Sequence, residues 1–161
     1  MKTKEEIKKE IAKLQQELDN YDTYKRPFIP SEGDTFYWVN ATGGIIQEVY
    51  ENSEFQAGLI QNRPVFRTRE AAEPHAKVNQ ATLAVERRIA ELNDGWWPDF
   101  GDSNQEKWAI GWNSYSYALV WSTHTWQENL PQRYLKSEKL NKQLIEEMPE
   151  ELKLMITGER L

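Results

Sequence analysis

The chain contains no cysteine, an absence that removes disulfides, thiolate nucleophiles and every zinc site built on sulfur. It fits a reducing cytoplasm. Histidine is scarce as well. His75 and His124 stand apart, without HxxxH or DxD spacing for a metal and without a GxSxG frame for a nucleophile, so each reads as an ordinary surface or core residue. Long apolar runs are missing: nothing approaches the ~20 apolar residues of a membrane span. The opening MKTKEEIKKEIAKLQQEL is too charged for the apolar core of a signal peptide. A soluble cytoplasmic protein with no membrane partner is the expectation. Gly43-Gly44 is followed by neither GK[ST] nor a GxGxxG frame, so it reads as a turn, and no cofactor is implied.

Basic residues are in deficit too. The net charge of −6 disfavours a non-specific duplex-DNA binder, which must neutralise many phosphates. It leaves open a protein that occupies a basic groove, such as a nuclease channel built for nucleic acid, where complementary potential steers the encounter.

Aromatic residues are what the chain has in quantity. Seven Trp, seven Tyr and five Phe in 161 residues exclude a disordered chain and supply a core. Residues 3 to 20 read as an amphipathic helix, with Thr3 as N-cap, Glu6 at the N3 position of a capping box, and Ile7, Ile11, Leu14 and Leu18 at helical spacing. Its narrow stripe suits either a homodimer seam or intramolecular docking.

Next comes a linker with Pro27, Pro30 and Gly33. A hairpin follows, Phe36 to Val39 returning at Ile45 to Tyr50 around Asn40 to Gly44. Residues 51 to 64 lack periodicity and read as loop with at most one helical turn. Val65-Phe66 leads to Thr68 as the N-cap of a long helix running to about Asn93 and stopped by Gly95. Pro74 requires either a kinked first turn or a regular start near Glu73 and Pro74.

The same order then recurs. PSEGD at 30–34 returns as PDFGD at 98–102, 68 positions on; a second hairpin is expected at Lys107 to Trp112 and Ala118 to Thr123. Arg133 to Ser137 repeats the strand-to-cap step of Val65 to Thr68. Leu140, Leu144 and Met148 mark the next helix, and a last helical stretch runs from Glu150 to Met155. The expected fold is therefore α+β: an N-terminal helix (1–25) followed by two related β-hairpin-strand-helix units (26–95 and 96–161) from an internal duplication, sharing one compact fold. Asp34 and Asp102 invite an acid-base pairing, but Gly-Asp before a strand is ordinary turn chemistry.

Alternation along the second hairpin makes Trp108 and Trp121 core residues. Trp112, Tyr115 and Tyr117 near the hairpin tip, Trp126 after it, and Trp96 and Trp97 before it are the candidates for partner contact. Exposed Trp and Tyr carry interface hot spots and also stack unpaired bases. A protein partner and a nucleotide or single-stranded nucleic acid both suit such residues.

The run VFRTREAAE, the segment WWPDFGDSNQEKWAI and the ending RYLKSEKLNKQLIEEMPEELK, in this order after a Lys/Glu helix and a GDTFYWV strand, resemble small accessory proteins encoded by bacteriophages and prophages, mainly of Firmicutes. The likeness covers nearly the whole chain. Its most specific pieces are Phe66, Thr68, Glu70, Ala72 and Glu73, and Gln105, Lys107 and Trp108; Pro74 departs from the unbroken helix of that pattern. The resemblance implies a phage protein acting in the cytoplasm of the bacterial host. Small size, acidity, this phage context and the lack of a catalytic constellation together point to a non-enzymatic accessory protein that binds and inhibits a host macromolecule, such as a CRISPR nuclease in anti-defence. The resemblance supplies no catalytic residues.

Overall fold

A computed structural model describes residues 3–25, 28–113, 115–116, 118–124 and 133–158, with the backbone alone for 15–25, 112 and 121–124. Five helices and two small antiparallel sheets appear in the order α1 (Lys4–Lys25), β1 (Thr35–Val39), β2 (Ile45–Val49), α2 (Glu54–Asn62), β3 (Val65–Phe66), α3 (Arg69–Asn93), β4 (Lys107–Asn113), β5 (Ala118–His124), β6 (Tyr134–Leu135), α4 (Glu138–Glu147) and α5 (Pro149–Thr157). The α+β class is as expected. Two compact units divide the chain: residues 1–40 with 44–73, and residues 41–43 with 74–161. The cut through α3 falls between Glu73 and Pro74.

In the first unit, α1 starts at a reciprocal capping box. Thr3 Oγ1 accepts the Glu6 amide at 3.3 Å, and Glu6 Oε2 accepts the Thr3 amide at 2.7 Å. The PSEGD turn closes with the Asp34 amide on Ser31 O at 2.9 Å and the Asp34 carboxylate on the Ser31 amide at 2.8 Å. Gly33 holds φ +87° there. Asp34 is thus a turn residue that opens β1. The sheet order is β2-β1-β3. Phe28, Phe36, Leu59 and Val65 form its core, with Trp38, Tyr50 and Ile60 against them.

Residues 54–62, expected to be loop, form α2. Ser53 Oγ accepts the Gln56 amide at 3.3 Å. The Gln56 side chain takes the Glu51 amide (2.8 Å) and donates to Val49 O (2.8 Å) and Glu48 Oε2 (3.1 Å). Among the described residues, Leu59 and Ile60 give this helix its only core contacts and Gln56 takes the other buried position, so the apolar pattern is too short for a periodicity search. The Ser-x-x-Gln spacing at 53–56 is the signal that marks its start. For α3, Thr68 Oγ1 accepts the Ala71 amide at 3.2 Å, so the helix begins at Arg69 and carries Pro74 inside. A regular start at Glu73 or Pro74 is not what forms.

In the second unit the sheet order is β5-β4-β6. Val85 and Ile89 of α3, Leu135 of β6, Leu144 of α4 and Leu152 of α5 make the buried core. Gly95 and Asp94 take left-handed φ (+80° and +48°) and end α3. Asn93, nearly buried, donates from Nδ2 to Tyr134 O at 2.7 Å and accepts the Lys136 amide on Oδ1 at 3.2 Å. That one side chain replaces a ladder partner for β6, which is only two residues long. Arg88 joins α3 to α4 by a two-point contact with Glu147 (2.8 and 3.1 Å). The pairing raises the Arg88 pKa and lowers that of Glu147.

Both sheets place the first hairpin strand in the middle and add a two-residue third strand antiparallel to it. Trp38 pairs with Val65 in one, and Ala109 with Tyr134 in the other. Ser137 caps α4 through the Leu140 amide at 3.4 Å, as Thr68 caps α3. Aligned on the third-strand pairing, Lys107 stands where the first sheet has Phe36, three residues farther from its Pro-x-x-Gly-Asp frame.

Candidate partner-binding surface

The β4–β5 hairpin pairs in register from Lys107↔His124 to Asn113↔Ala118. At its tip, Asn113 Oδ1 accepts the amides of Tyr115 (2.9 Å) and Ser116 (3.1 Å). This Asx-type geometry fixes the turn locally. It presents Tyr115 with 96% of its surface exposed. The side chain of Trp112 and the whole of Tyr117 and Trp126 lie outside the described residues.

Trp96 and Trp97 sit at the other end of β4. The Trp96 amide donates to Asn93 O at 3.0 Å just after α3, and the ring is half-buried. Trp97 is 64% exposed, and its carbonyl accepts Gln105 Nε2 at 3.5 Å, two residues before β4 begins. Seven strand residues separate that loop from the tip, about 20 Å at ~3.3 Å per residue. The two exposed aromatics are therefore separate points on the second unit. Trp108, expected in the core, is only half-buried and donates its indole N–H to Glu106 at 3.2 Å. Tyr134, Leu135, Leu144 and Leu152 fill the space instead. The Trp121 side chain lies outside the described residues.

Between these aromatics the loop 99–106 is built around Lys107, which is fully buried. Its Nζ donates to Asp102 O and Gln105 O, both at 2.9 Å, and lies 5.7 Å from the Phe100 ring centroid. Asp99 and Asp102 are spent locally, accepting the amides of Gly101 and Asn104 at 2.8 Å each. The PDFGD carboxylates are thus turn formers, as in the first unit. Lys107 as an internal anchor escapes a sequence reading because it follows a polar run and looks solvated. Its signal is position, a lysine at the strand site that Phe36 fills in the first sheet.

His75 is exposed on α3, and the side chain of His124 lies outside the described residues. Among the described residues there is no cluster of three His, Cys, Asp or Glu able to hold a metal, and no helix long and apolar enough to cross a membrane. In the first unit, Ile7, Ile11 and Leu14 of α1 are 45%, 58% and 58% exposed. Their flanks carry both signs, Lys4, Lys8, Lys9 and Lys13 beside Glu5, Glu6 and Glu10. No family model, curated protein or solved structure matches this chain.

Proposed function

We propose that this is a non-enzymatic binding protein whose second unit docks on a host macromolecule, with Tyr115 at the hairpin tip as the anchor. The observation that carries this reading is a nearly fully exposed tyrosine on a turn that Asn113 already holds in shape. A preformed aromatic loses little conformational freedom on burial, which is why such residues concentrate binding energy. The acidic chain suits a basic protein groove. The phage resemblance narrows the partner to a host defence effector such as a CRISPR nuclease, inhibited by occupation of its surface. Tagged protein is expected to retain a discrete partner from host lysate and to protect a phage from one defence system, with Tyr115→Ala weakening capture by at least about tenfold. Recovery of no partner together with no protection overturns the reading; capture unchanged by Tyr115→Ala overturns the assigned surface.

The two sheet units are, in the same proposal, copies of one ancestral β-hairpin-strand-helix segment. Support comes from the shared strand order, the paired registers and the equivalent caps Thr68 and Ser137. If Lys107 is the equivalent of Phe36, deleting Ser103 to Gln105 together with Lys107→Phe restores the first unit's geometry. That variant is expected to fold with a higher urea midpoint than the deletion alone, which leaves Nζ buried with one carbonyl fewer. Equal midpoints for the two argue against common descent of the strands.

The exposed stripe of α1 is assigned to a second copy of the chain, making a homodimer through residues 3–20. Near-balanced charge beside the stripe favours a like surface over a strongly basic or acidic one.

A further inference from the structure

Residues 55–69 carry Arg63, Arg67 and Arg69 and no Asp or Glu, although the chain holds 26 acidic residues in 161. All three arginines are exposed. Among the described residues no carboxylate pairs with any of them, whereas Arg88 and Arg133 each face one. The segment from α2 to the start of α3 therefore presents positive charge that no ion pair neutralises.

Two of the three are steadied by rings. The Arg67 guanidinium carbon lies 4.5 Å from the Phe28 ring centroid, and that of Arg63 lies 5.6 Å from the Trp38 ring centroid. Phe28 belongs to the core of this unit, and Trp38 packs against that core while its indole N–H donates to Glu48 Oε1 at 3.0 Å. Both rings are thus fixed platforms. A ring attracts the cation through its quadrupole and leaves the planar fork of N–H donors for an anion. Arg63 is extended (φ −142°, ψ 148°) and β3 begins two residues later, so Arg63, Val65 and Arg67 fall on alternate positions. The Cα atoms of Arg63 and Arg67 stand about 13 Å apart at ~3.3 Å per residue. With a ring for each, they make two separate anion contacts, and Arg69 adds a third at the first residue of α3. Contacts in a row along one segment suit a chain of phosphates better than a single phosphate. The outer plane of a guanidinium can also stack an unpaired base, which an acidic peptide does not supply.

We propose that Arg63, Arg67 and Arg69 form a contact site for the phosphodiester backbone of single-stranded nucleic acid, with unpaired bases stacking on the Arg63 and Arg67 guanidinium planes. The site belongs to the first unit and stands independently of the Tyr115 surface on the second. The net charge of −6 opposes a polyanion elsewhere on the chain, so the binding is weak, local and strongly salt-dependent.

The probe is a fluorescein-labelled oligothymidylate of about twelve nucleotides, followed by anisotropy as the full chain is added. Saturable binding is expected, with log K falling against log[KCl] at a slope of about −2, from three phosphates at roughly 0.7 each. Arg67→Gln and Arg69→Gln should each weaken binding several-fold at low salt and reduce the slope by about 0.7, and Tyr115→Ala should change neither. Arg69 rests on no ring among the described residues, so its replacement reads the charge alone even if Arg67→Gln fails to fold. On the unaltered protein, oligoglutamate of equal charge and inorganic phosphate at matched ionic strength should displace the probe at least about tenfold less well than unlabelled oligothymidylate. No saturable binding at low salt, a slope unchanged in both arginine variants, weakening by Tyr115→Ala, or displacement by oligoglutamate or phosphate as effective as by the oligonucleotide overturns the proposal.

Discussion

Gly43 and Gly33 both hold left-handed backbone, at φ +80° and +87°, yet they answer to different constraints. A Cβ on Gly33 meets nothing within 4 Å, whereas one on Gly43 falls 2.4 Å from Gln80 Cγ and 2.7 Å from the Ala76 carbonyl oxygen. The Gln80 side chain can move aside; the helix carbonyl cannot. Gln80 also donates to Gly43 O at 3.1 Å, so displacing it loses a bond as well. Gly33→Ala should cost about 1 kcal/mol, the conformational term alone, and Gly43→Ala about 2–4 kcal/mol. Urea unfolding of both variants checks the ordering, and a Gly33 cost equal to or above that of Gly43 contradicts it. The sequence marks both glycines as turn residues but cannot separate them, because the difference lies in what comes close in space. The same limit applies to the aromatics. Alternation assigned Trp108 inward without knowing that Tyr134 and Leu135, twenty-six and twenty-seven residues later, occupy the core.

At the scale of the element, termini were more legible than interiors. Thr3 with Glu6, Thr68 and Ser137 all act as caps where the residue types foretell it, because capping is a contest between groups three residues apart and needs no tertiary knowledge. Helix α2 was missed because its apolar contact is only Leu59 and Ile60 and the rest of its hold is a glutamine bonded to a neighbouring strand, which together leave no period in the sequence. The α1 cap carries a pH dependence. The Glu6 carboxylate accepts bonds from the Thr3 amide and hydroxyl, which lower its pKa from the ordinary 4.5. Because the folded value lies below the unfolded one, its contribution is complete above about pH 4.5 and disappears as pH falls through the lowered folded value. The amide resonances of Thr3 and Glu6 should therefore titrate together below that pH, with fraying of the first turn, and Glu6→Gln should flatten the response. Independent behaviour of the two amides contradicts the reciprocal cap.

For the whole molecule, the exposed Ile7, Ile11 and Leu14 predict an assembly of twice the 19.0 kDa chain in light scattering at micromolar concentration. Ile11→Lys should return it to a single chain by placing like charges across the seam. A single-chain mass for the unaltered protein removes the dimer. The α+β class and the order of hairpins, short strands and capped helices could be read from the sequence, since these follow from local pattern. The division of α3 between two compact units could not, because it depends on which partners each turn of the helix finds.

Lys107 finally sets the chemistry this protein offers to the outside. It is the one lysine among the described residues that is fully buried, its Nζ turned inward onto two carbonyls. Acylating reagents and lysine-modifying enzymes reach it only after the loop 99–106 has opened. Its modification state is therefore a record of unfolding, written covalently into the chain.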